Sequence, residues 1–455
     1  MLNKMPIVIM TDALLTVAAV YAGYILRFHA FRIREETAVL TLVALVPFVL
    51  VVMFSSFLLE LYDEKRYWTK SDTLVRVFIG LMLSFVILSA IYYLLPFVKL
   101  GRGILVLSLC AFGAFQFLWH IGYSAFMHAK GFARKVLVLG AGAMAQQIGS
   151  LIAQTNHQHV LIGYHKCNCA SESICVPLQE IVGNGNGLLQ AVEQVKAQKI
   201  VVSMSEQRGT LPIRDMLSCK LNGVEIVDAP TFYEEMNGKL LLENIRPSWF
   251  IFSNGFRITP AKRVNKRVID FLLAIVGMFM SAPLLPVIAL AIKIDSKGPV
   301  FFKQVRVGER EKPFVLYKFR TMREDAESTT GAVWAQKSDD RITRVGKVLR
   351  KSRLDEIPQI YNVVKGEMSL IGPRPERPEF VEKLKEIIPY YSERHFVKPG
   401  ITGWAQTKYP YGASVEDAIE KLRFDLFYIK KLSFFFDLLI ILETIKVVLF
   451  GRGSR

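Results

Sequence analysis

Four apolar segments crowd the first quarter of the chain, about Met5 to Arg27, Val39 to Leu61, Leu74 to Phe97 and Ile104 to Met127. Each is long enough to cross a hydrocarbon core of ~30 Å. A four-helix transmembrane bundle over residues 1–130 is therefore expected. The whole chain agrees, with 52% hydrophobic residues and 31 Phe among its 455 residues, more than a soluble protein of this size carries. No small-residue cleavage site follows the first apolar run and further runs come after it, which argues against a signal peptide. Lys4, Lys65, Arg66, Lys70, Lys130, Arg134 and Lys135 fall on one side of the membrane, and Arg27, Arg32, Arg34, Lys99 and Arg102 on the other. That asymmetry puts both ends of the bundle in the cytoplasm. Asp12 within the first run is either functional or close enough to the helix end to reach the interface.

The formal charge of +17 would suit nucleic acid, yet no aromatic RNA-binding signature occurs and the cations gather beside apolar runs. Anionic lipid headgroups and phosphate-bearing substrates explain that placement better. Five cysteines (Cys110, Cys167, Cys169, Cys175 and Cys219) form an odd set without a disulfide framework, as in a reducing compartment. His157, His159, His165, Cys167, Cys169 and Cys175 are metal-type ligands, but they lack CxxC or HExxH spacing and are not read as a metal site.

At Lys135 the pattern changes. KVLVLGAGAMAQQIGSLI reads as a buried strand, a Gly-rich turn and a helix, with Gly140, Gly142 and Ala145 spelling GxGxxA. Apolar strands at 160–164, 199–204 and 223–228 alternate with helical stretches, so residues 131–230 read as a Rossmann-like parallel α/β domain. The second strand ends in Tyr164, His165 and Lys166, where an acidic residue for an adenosine ribose belongs, and no bound dinucleotide is expected. Residues 231–261, with Trp249, Phe250, Phe252 and Phe256, read as an aromatic connector near the membrane surface.

The apolar stretch Val268 to Ile292 is interrupted by Pro283 and Pro286 and flanked at both ends by cations, Lys262, Arg263, Lys266 and Arg267 before it and Lys293 and Lys297 after it. A re-entrant helix over 264–293, broken at Pro283 and returning to the same leaflet, satisfies both features. A kinked span is the alternative. Beyond it Gln304, Arg306, Lys318, Arg320, Arg341, Arg344 and Lys347 recur between aromatic and β-branched residues, as a phosphate-binding pocket would require. The densest chemistry is Arg350 to Pro375, RKSRLDEIPQIYNVVKGEMSLIGPRP. Ser352 followed by Asp355 reads as a capping box that would place Asp355 and Glu356 near a helix N-terminus, where partial positive charge favours carboxylates and phosphate. Neighbouring helical positions diverge, so one acid can be a nucleophile while the other holds a metal. Gly400 and Gly403 read as turns of a loop closing over a ligand. Phe424 to Phe450 reads as a helical region on the membrane, or else as core.

DFLLAIV, QVRVG, YKFRTM, SRLDEIPQIYNVVKGEMSLIGPRPE, VKPGITGWAQ and KLRFDLFYIK resemble, in that order, the motifs of the bacterial polyprenyl-phosphate hexose-1-phosphate transferases, the monotopic phosphoglycosyl transferases. The likeness covers Lys262 to Arg455. Four spans and a Rossmann-like domain in front resemble the large forms that start exopolysaccharide synthesis. The run SEQRGTLPIRDMLSCKLNGVEIVDAPTFYEEMNGK, with PSWFIFSNGF after it, resembles the exosortase-associated branch. The resemblance implies a catalytic α/β domain over 262–455 in which Asp355 attacks the sugar-bearing phosphate of a UDP-sugar. UMP leaves, an aspartyl phospho-sugar forms, and the sugar-1-phosphate passes to polyprenyl phosphate. It further implies that Glu356 holds Mg²⁺ and that Lys318, Arg320, Arg350, Arg353, Pro373, Arg374, Pro375 and Arg394 bind substrate. The implied setting is the bacterial cytoplasmic membrane, with the catalytic domain facing the cytoplasm, membrane lipids and a second copy of the chain as candidate partners, and no nucleic acid. One departure is visible: the family's helix breaks at Ser-Pro, whereas here the pair is Ala282-Pro283 with Ser281 one position earlier.

Two rivals remain in view. A membrane-bound NAD-dependent nucleotide-sugar dehydratase or epimerase would join four spans to a Rossmann domain, and a YxxxK signature occurs at Tyr361 to Lys365. It lies far beyond GxGxxA and past the apolar helix, so it does not complete that cofactor site. A non-enzymatic scaffold of polysaccharide assembly would leave the acidic pair and its cations unexplained.

Overall fold

The structure, a computed structural model, describes residues 5–28, 35–62, 70–128, 133–154, 159–166, 174–184, 187–204, 211–244, 250, 253, 255–323, 341–409, 412 and 414–449. Two compact units meet between Ala229 and Pro230.

In the first unit, α1 (Met5–Phe28), α2 (Glu35–Leu58), α3 (Lys70–Leu94) and α4 (Arg102–His128) share one apolar core that includes Ala19, Phe48, Leu88 and Phe112. Among the described residues three stretches are long and apolar enough to cross a membrane, Val8–Phe28, Lys70–Leu94 and Arg102–Tyr123. The expected second span falls on α2, in which the described stretch Val43–Leu58 is apolar, and the chain then turns through Glu60 at φ 60°. Asp12 does not reach an interface. Its side chain is fully buried, accepts a hydrogen bond from Gln116 Nε2 at 2.7 Å and faces His120 Nε2 at 3.3 Å.

Next come β1 (Arg134–Leu139), α5 (Ala143–Gln154), β2 (His159–Lys166), β3 (Ile181–Asn184), α6 (Leu188–Val195), β4 (Lys199–Val202), α7 (Ile213–Leu221) and β5 (Glu225–Asp228). The five strands pair in the order β3-β2-β1-β4-β5, all parallel, as the sequence pattern predicts. This is the order of a Rossmann-like sheet. Near-continuous apolar strands are what a sheet covered on both faces requires. Leu137, Leu139, Ile200 and Val202 pack with Leu188, Val192 and Cys219, and α5 packs on β1 and β2. Gly140 makes the turn after β1 at φ 123°, and a Cβ there would stand 2.6 Å from Ser203 Oγ. His157, Cys167 and Cys169 lie outside the described residues; among those described, no group of three His, Cys, Asp or Glu is placed to hold a metal.

The second unit begins earlier than the sequence pattern suggests. α8 (Ala229–Asn237) and the residues after it are not a free connector. Glu234 makes a buried ion pair with Lys430 at 2.7 Å, Leu240 is fully buried in the main core, and Trp404 Nε1 donates to Gly238 O at 2.7 Å. Phe250 and Phe256 pack against the same core, whereas Trp249 and Phe252 lie outside the described residues. α9 (Pro260–Ser281) starts with Pro260 behind the N-cap Thr259, whose hydroxyl accepts from Lys262 N, and α10 (Leu284–Asp295) is bent 60° from it. Pro283 supplies the break by removing a bond to Phe279 O. Ser281 Oγ bonds Met278 O at 3.2 Å, a carbonyl that Ala282 N already uses, so it does not replace the lost bond.

An antiparallel hairpin, β6 (Phe301–Val307) and β7 (Pro313–Phe319), leads to α11 (Arg344–Ser352), α12 (Gln359–Lys365), β8 (Ser369–Ile371), α13 (Pro378–Ile387), β9 (Gly400–Thr402), α14 (Trp404–Lys408), α15 (Val415–Lys431) and α16 (Phe434–Leu449). β8 and β9 form a separate parallel pair. Gly400 and Gly403 are therefore not a flap. A Cβ at Gly400 would stand 2.1 Å from Gly372 N and one at Gly403 2.2 Å from Gly372 O, so both permit backbone-to-backbone contact beneath the 372–376 loop. Phe424, Leu426, Tyr428 and Ile429 of α15 are core, the second of the two sequence readings. On α16 Phe434 and Phe435 are exposed, while Phe436 packs against Trp404.

Candidate active site

Ser352 closes a helix instead of opening one. α11 is capped at its start by Thr343, whose Oγ1 accepts from Gly346 N at 3.0 Å, and Ser352 Oγ bonds back to Val348 O at 2.8 Å. The capping-box reading fails because Arg353 adopts φ 56°, which ends α11 and starts a single 3₁₀ turn, Leu354–Glu356, before α12. Gly346 lets this helix approach closely: a Cβ there would stand 2.1 Å from Thr321 O. Arg350 Nε in turn donates to Thr321 Oγ1 at 2.9 Å.

The two acids on that turn are both buried, yet their surroundings differ. Glu356 Oε1 accepts from Lys318 Nζ at 3.0 Å and from Arg374 Nη2 at 2.7 Å. Although burial opposes ionisation, the two cations hold its carboxyl well below the usual carboxylate range. Among the described residues no hydrogen bond or ion pair ends on the Asp355 carboxylate. Burial pushes its carboxyl up, and the charges of Lys318, Arg374 and Arg350 only partly offset this. Successive residues of a 3₁₀ turn point about 120° apart, so one carboxylate is spent on cations and its neighbour is left free.

Arg353, on the strained residue before the turn, lies within the electrostatic reach of both acids and of Arg374. Arg320, at the end of β7, is buried and donates to Ser296 O at 2.8 Å and Ser296 Oγ at 2.9 Å. Its Nε and Nη1 are buried without a partner among the described residues, two donors that an anionic ligand would satisfy. Pro373 and Pro375 are buried on either side of Arg374. Lys318, Arg350, Arg353 and Arg374 are thus brought around the acidic pair.

Arg394 is the exception among the predicted substrate-binding residues. It is 6% exposed and donates to Tyr391 OH at 2.6 Å, Arg374 O at 3.0 Å and Asp425 Oδ2 at 2.8 Å. Those bonds tie both of its terminal nitrogens to the protein, while Nε is buried without a partner among the described residues. The sequence reading also missed Asp425 and Thr321. Asp425 left a signal, a lone acid between apolar residues in KLRFDLFYIK. Thr321 left none.

The acids and cations fit a Mg²⁺ ion that arrives with a phosphate ligand better than a resident ion. Mg²⁺ is commonly bound by one or two carboxylates plus substrate phosphates, and Glu356 supplies one. No third His, Cys, Asp or Glu among the described residues completes a protein cage.

Residues 261–451 match the family described as bacterial sugar transferase. A UDP-N-acetylgalactosamine-undecaprenyl-phosphate N-acetylgalactosaminephosphotransferase of Aeromonas hydrophila is 40% identical over 242 residues, 53% of this chain and 56% of that protein. An undecaprenyl-phosphate glucose phosphotransferase of Komagataeibacter xylinus is 32% identical over 331 residues, 71% of this chain and 60% of that protein. The chain thus spans less than two thirds of the length of either. A UDP-glucose:undecaprenyl-phosphate glucose-1-phosphate transferase of Caulobacter vibrioides is 41% identical over 190 residues, 41% of this chain and 70% of that protein.

Proposed function

Because the chain belongs to the bacterial sugar transferase family, we propose that it transfers a hexose-1-phosphate from a UDP-sugar to undecaprenyl phosphate through a covalent intermediate on Asp355. The observation that carries this reading is the contrast between the adjacent acids. Asp355 has lone pairs unclaimed by hydrogen bonds, whereas Glu356 is tied to Lys318 and Arg374. A nucleophile needs the first condition and an electrostatic anchor the second.

In the first half-reaction an Asp355 oxygen bonds to the sugar-bearing phosphorus as the bond to the bridging oxygen of the diphosphate breaks, and UMP leaves. In the second, an oxygen of the carrier phosphate attacks the same phosphorus, the acyl-phosphate bond breaks, and the Asp355 carboxylate returns. Lys318, Arg350 and Arg374 offset the phosphate charge that would repel a carboxylate. The buried donors of Arg320 suit a second phosphate oxygen. Glu356 would hold a Mg²⁺ ion, which would supply further charge neutralisation.

The bent pair α9–α10 is read as a re-entrant helix. Both arms are tied to one catalytic core: Arg267 donates to Val363 O and Val364 O at 2.5 and 2.7 Å, and Asp295 accepts from Val345 N at 2.9 Å. A full crossing would carry those anchors to opposite faces. Returning to the cytoplasmic leaflet instead keeps Asp355 at headgroup level, where a carrier phosphate resides. The product would begin an exopolysaccharide repeat.

The test is a panel of UDP-sugars offered to the purified chain with undecaprenyl phosphate and Mg²⁺. UMP release and a ³²P-labelled species on wild-type protein, absent from Asp355→Asn, are expected. Release of UMP by Asp355→Asn at the wild-type rate overturns the assignment.

A further inference from the structure

Gly372 to Arg377 crosses the catalytic unit without regular secondary structure. Gly372 N donates to Thr402 O at 2.9 Å, but Pro373 and Pro375 have no N–H, so beyond Gly372 the loop relies on its carbonyls. Four in a row are taken. Pro373 O accepts from Gly400 N at 2.9 Å, Arg374 O from Arg394 Nη2 at 3.0 Å, Pro375 O from Arg306 Nη1 at 3.0 Å and Glu376 O from Val307 N at 2.9 Å. The bond at Arg374 itself comes from a buried cation. Arg394 Nη2 is shared between Arg374 O and Asp425 Oδ2, and Nη1 is fixed on Tyr391 OH. Asp425 lies on α15, 2% exposed.

We propose that Asp425 is a positioning residue for the transfer reaction, acting through Arg394 to fix the backbone of Arg374 and thereby the contact of its guanidinium with Glu356. The inference rests on the functional reading above. A buried guanidinium without its counter-ion is costly and turns toward other oxygens or draws in water. Either movement releases Arg374 O. The bonds at Pro373 O, Pro375 O and Glu376 O hold the rest of the loop but not the Arg374 carbonyl.

The experiment is a double-mutant cycle on the full chain in detergent, with the most active UDP-sugar of the panel, undecaprenyl phosphate and Mg²⁺. Initial rates of UMP release are measured under multiple turnover, across donor concentrations, for wild type, Asp425→Asn, Arg374→Ala and the double variant. Asp425→Asn is expected to lower kcat about tenfold in the wild-type background with little change in KM, and less than about twofold once Arg374 is alanine. The same fold loss in both backgrounds overturns the proposal, because a merely structural role costs the same with or without Arg374. Should Asp425→Asn not fold, Tyr391→Phe decides by the same cycle. It removes one bond to Arg394, keeps the ion pair, and is expected to cost about threefold only while Arg374 is present. A wild-type chain that releases no UMP from any donor refutes the functional reading and this proposal together, whereas an active chain without coupling refutes this proposal alone.

Discussion

The parallel sheet of residues 134–228 and the catalytic region of residues 230–449 are both α/β, but they become rigid by different means. In the first, β3-β2-β1-β4-β5 hold one another by ladder hydrogen bonds, and the strands need only be apolar. In the second the sheet shrinks to pairs, and side chains replace the missing strands. Asn362 bonds Val315 O at 2.7 Å and Tyr317 N at 3.2 Å on the open edge of β7. Arg267 takes two carbonyls of α12, and Arg306 and Arg394 take two of the 372–376 loop. The ladder keeps its charges at the strand starts, where Arg134 and Lys199 pair with Glu225. Backbone held by side chains brings charge to the loops themselves, because Arg267, Arg306 and Arg394 are cations.

If that contrast holds, losing chemistry is the largest single-residue effect and belongs to the second region. Asp355→Asn should reduce UMP release by at least about a thousandfold, since an amide forms no acyl phosphate. Glu356→Gln should follow at about a hundredfold, with excess Mg²⁺ restoring little of it. A smaller loss at Glu356 than at an exposed cation such as Lys347 would place the charge neutralisation elsewhere.

The same pair should move stability in opposite directions. Asp355 has a raised carboxyl pKa, so its favourable contribution is complete below its unfolded pKa and is lost as pH rises through the folded one. At neutral pH its ionised form costs stability, and Asp355→Asn should raise Tm. Glu356 has a depressed pKa, so its contribution is present above the unfolded value and lost on acidification. Glu356→Gln should lower Tm at pH 7 by several degrees and by less at pH 4, as calorimetry would show. Activity should decline on the acid side at a higher pH than an ordinary aspartate would give. Equal Tm shifts of one sign would mean that the two acids share one environment.

The first region was the more legible of the two. Apolar strands alternating with helical stretches, and the GxGxxA turn, convey its topology because a doubly covered sheet selects for that pattern at every strand. The second was legible at its acids and cations but not in their setting. Ser352 opens a capping box by sequence and closes α11 in the fold, because Arg353 takes a left-handed conformation that no residue pattern announces. Arg394 is as basic as Arg374 in the sequence. What separates them is Asp425, thirty-one positions away from Arg394, and a long-range partner leaves no local mark.

Where the second region begins is the next largest test. A chain starting at Ala261 carries the whole matched family segment but loses Glu234 and Leu240. It leaves Lys430 a buried cation without its carboxylate and opens the core beside Trp404. One starting at Pro230 keeps all of these. The longer piece should fold in detergent with a sharp melting transition and release UMP, and the shorter should melt at least about 5 °C lower. Equal Tm values would return residues 230–260 to the role of a connector.

The smallest effect is expected in the first region. Gly140→Ala places a methyl group 2.6 Å from Ser203 Oγ at a residue with φ 123°, where an L side chain is strained. The expected cost is about 1–3 kcal/mol to the sheet that it serves. That strain disturbs a ladder, not the cations around Asp355, so UMP release should stay within about twofold of wild type while the α/β region becomes more susceptible to limited proteolysis. If transfer falls tenfold with the second region still folded, the parallel sheet contributes to the active site, and the division between a region made rigid by ladders and one that carries the chemistry is wrong.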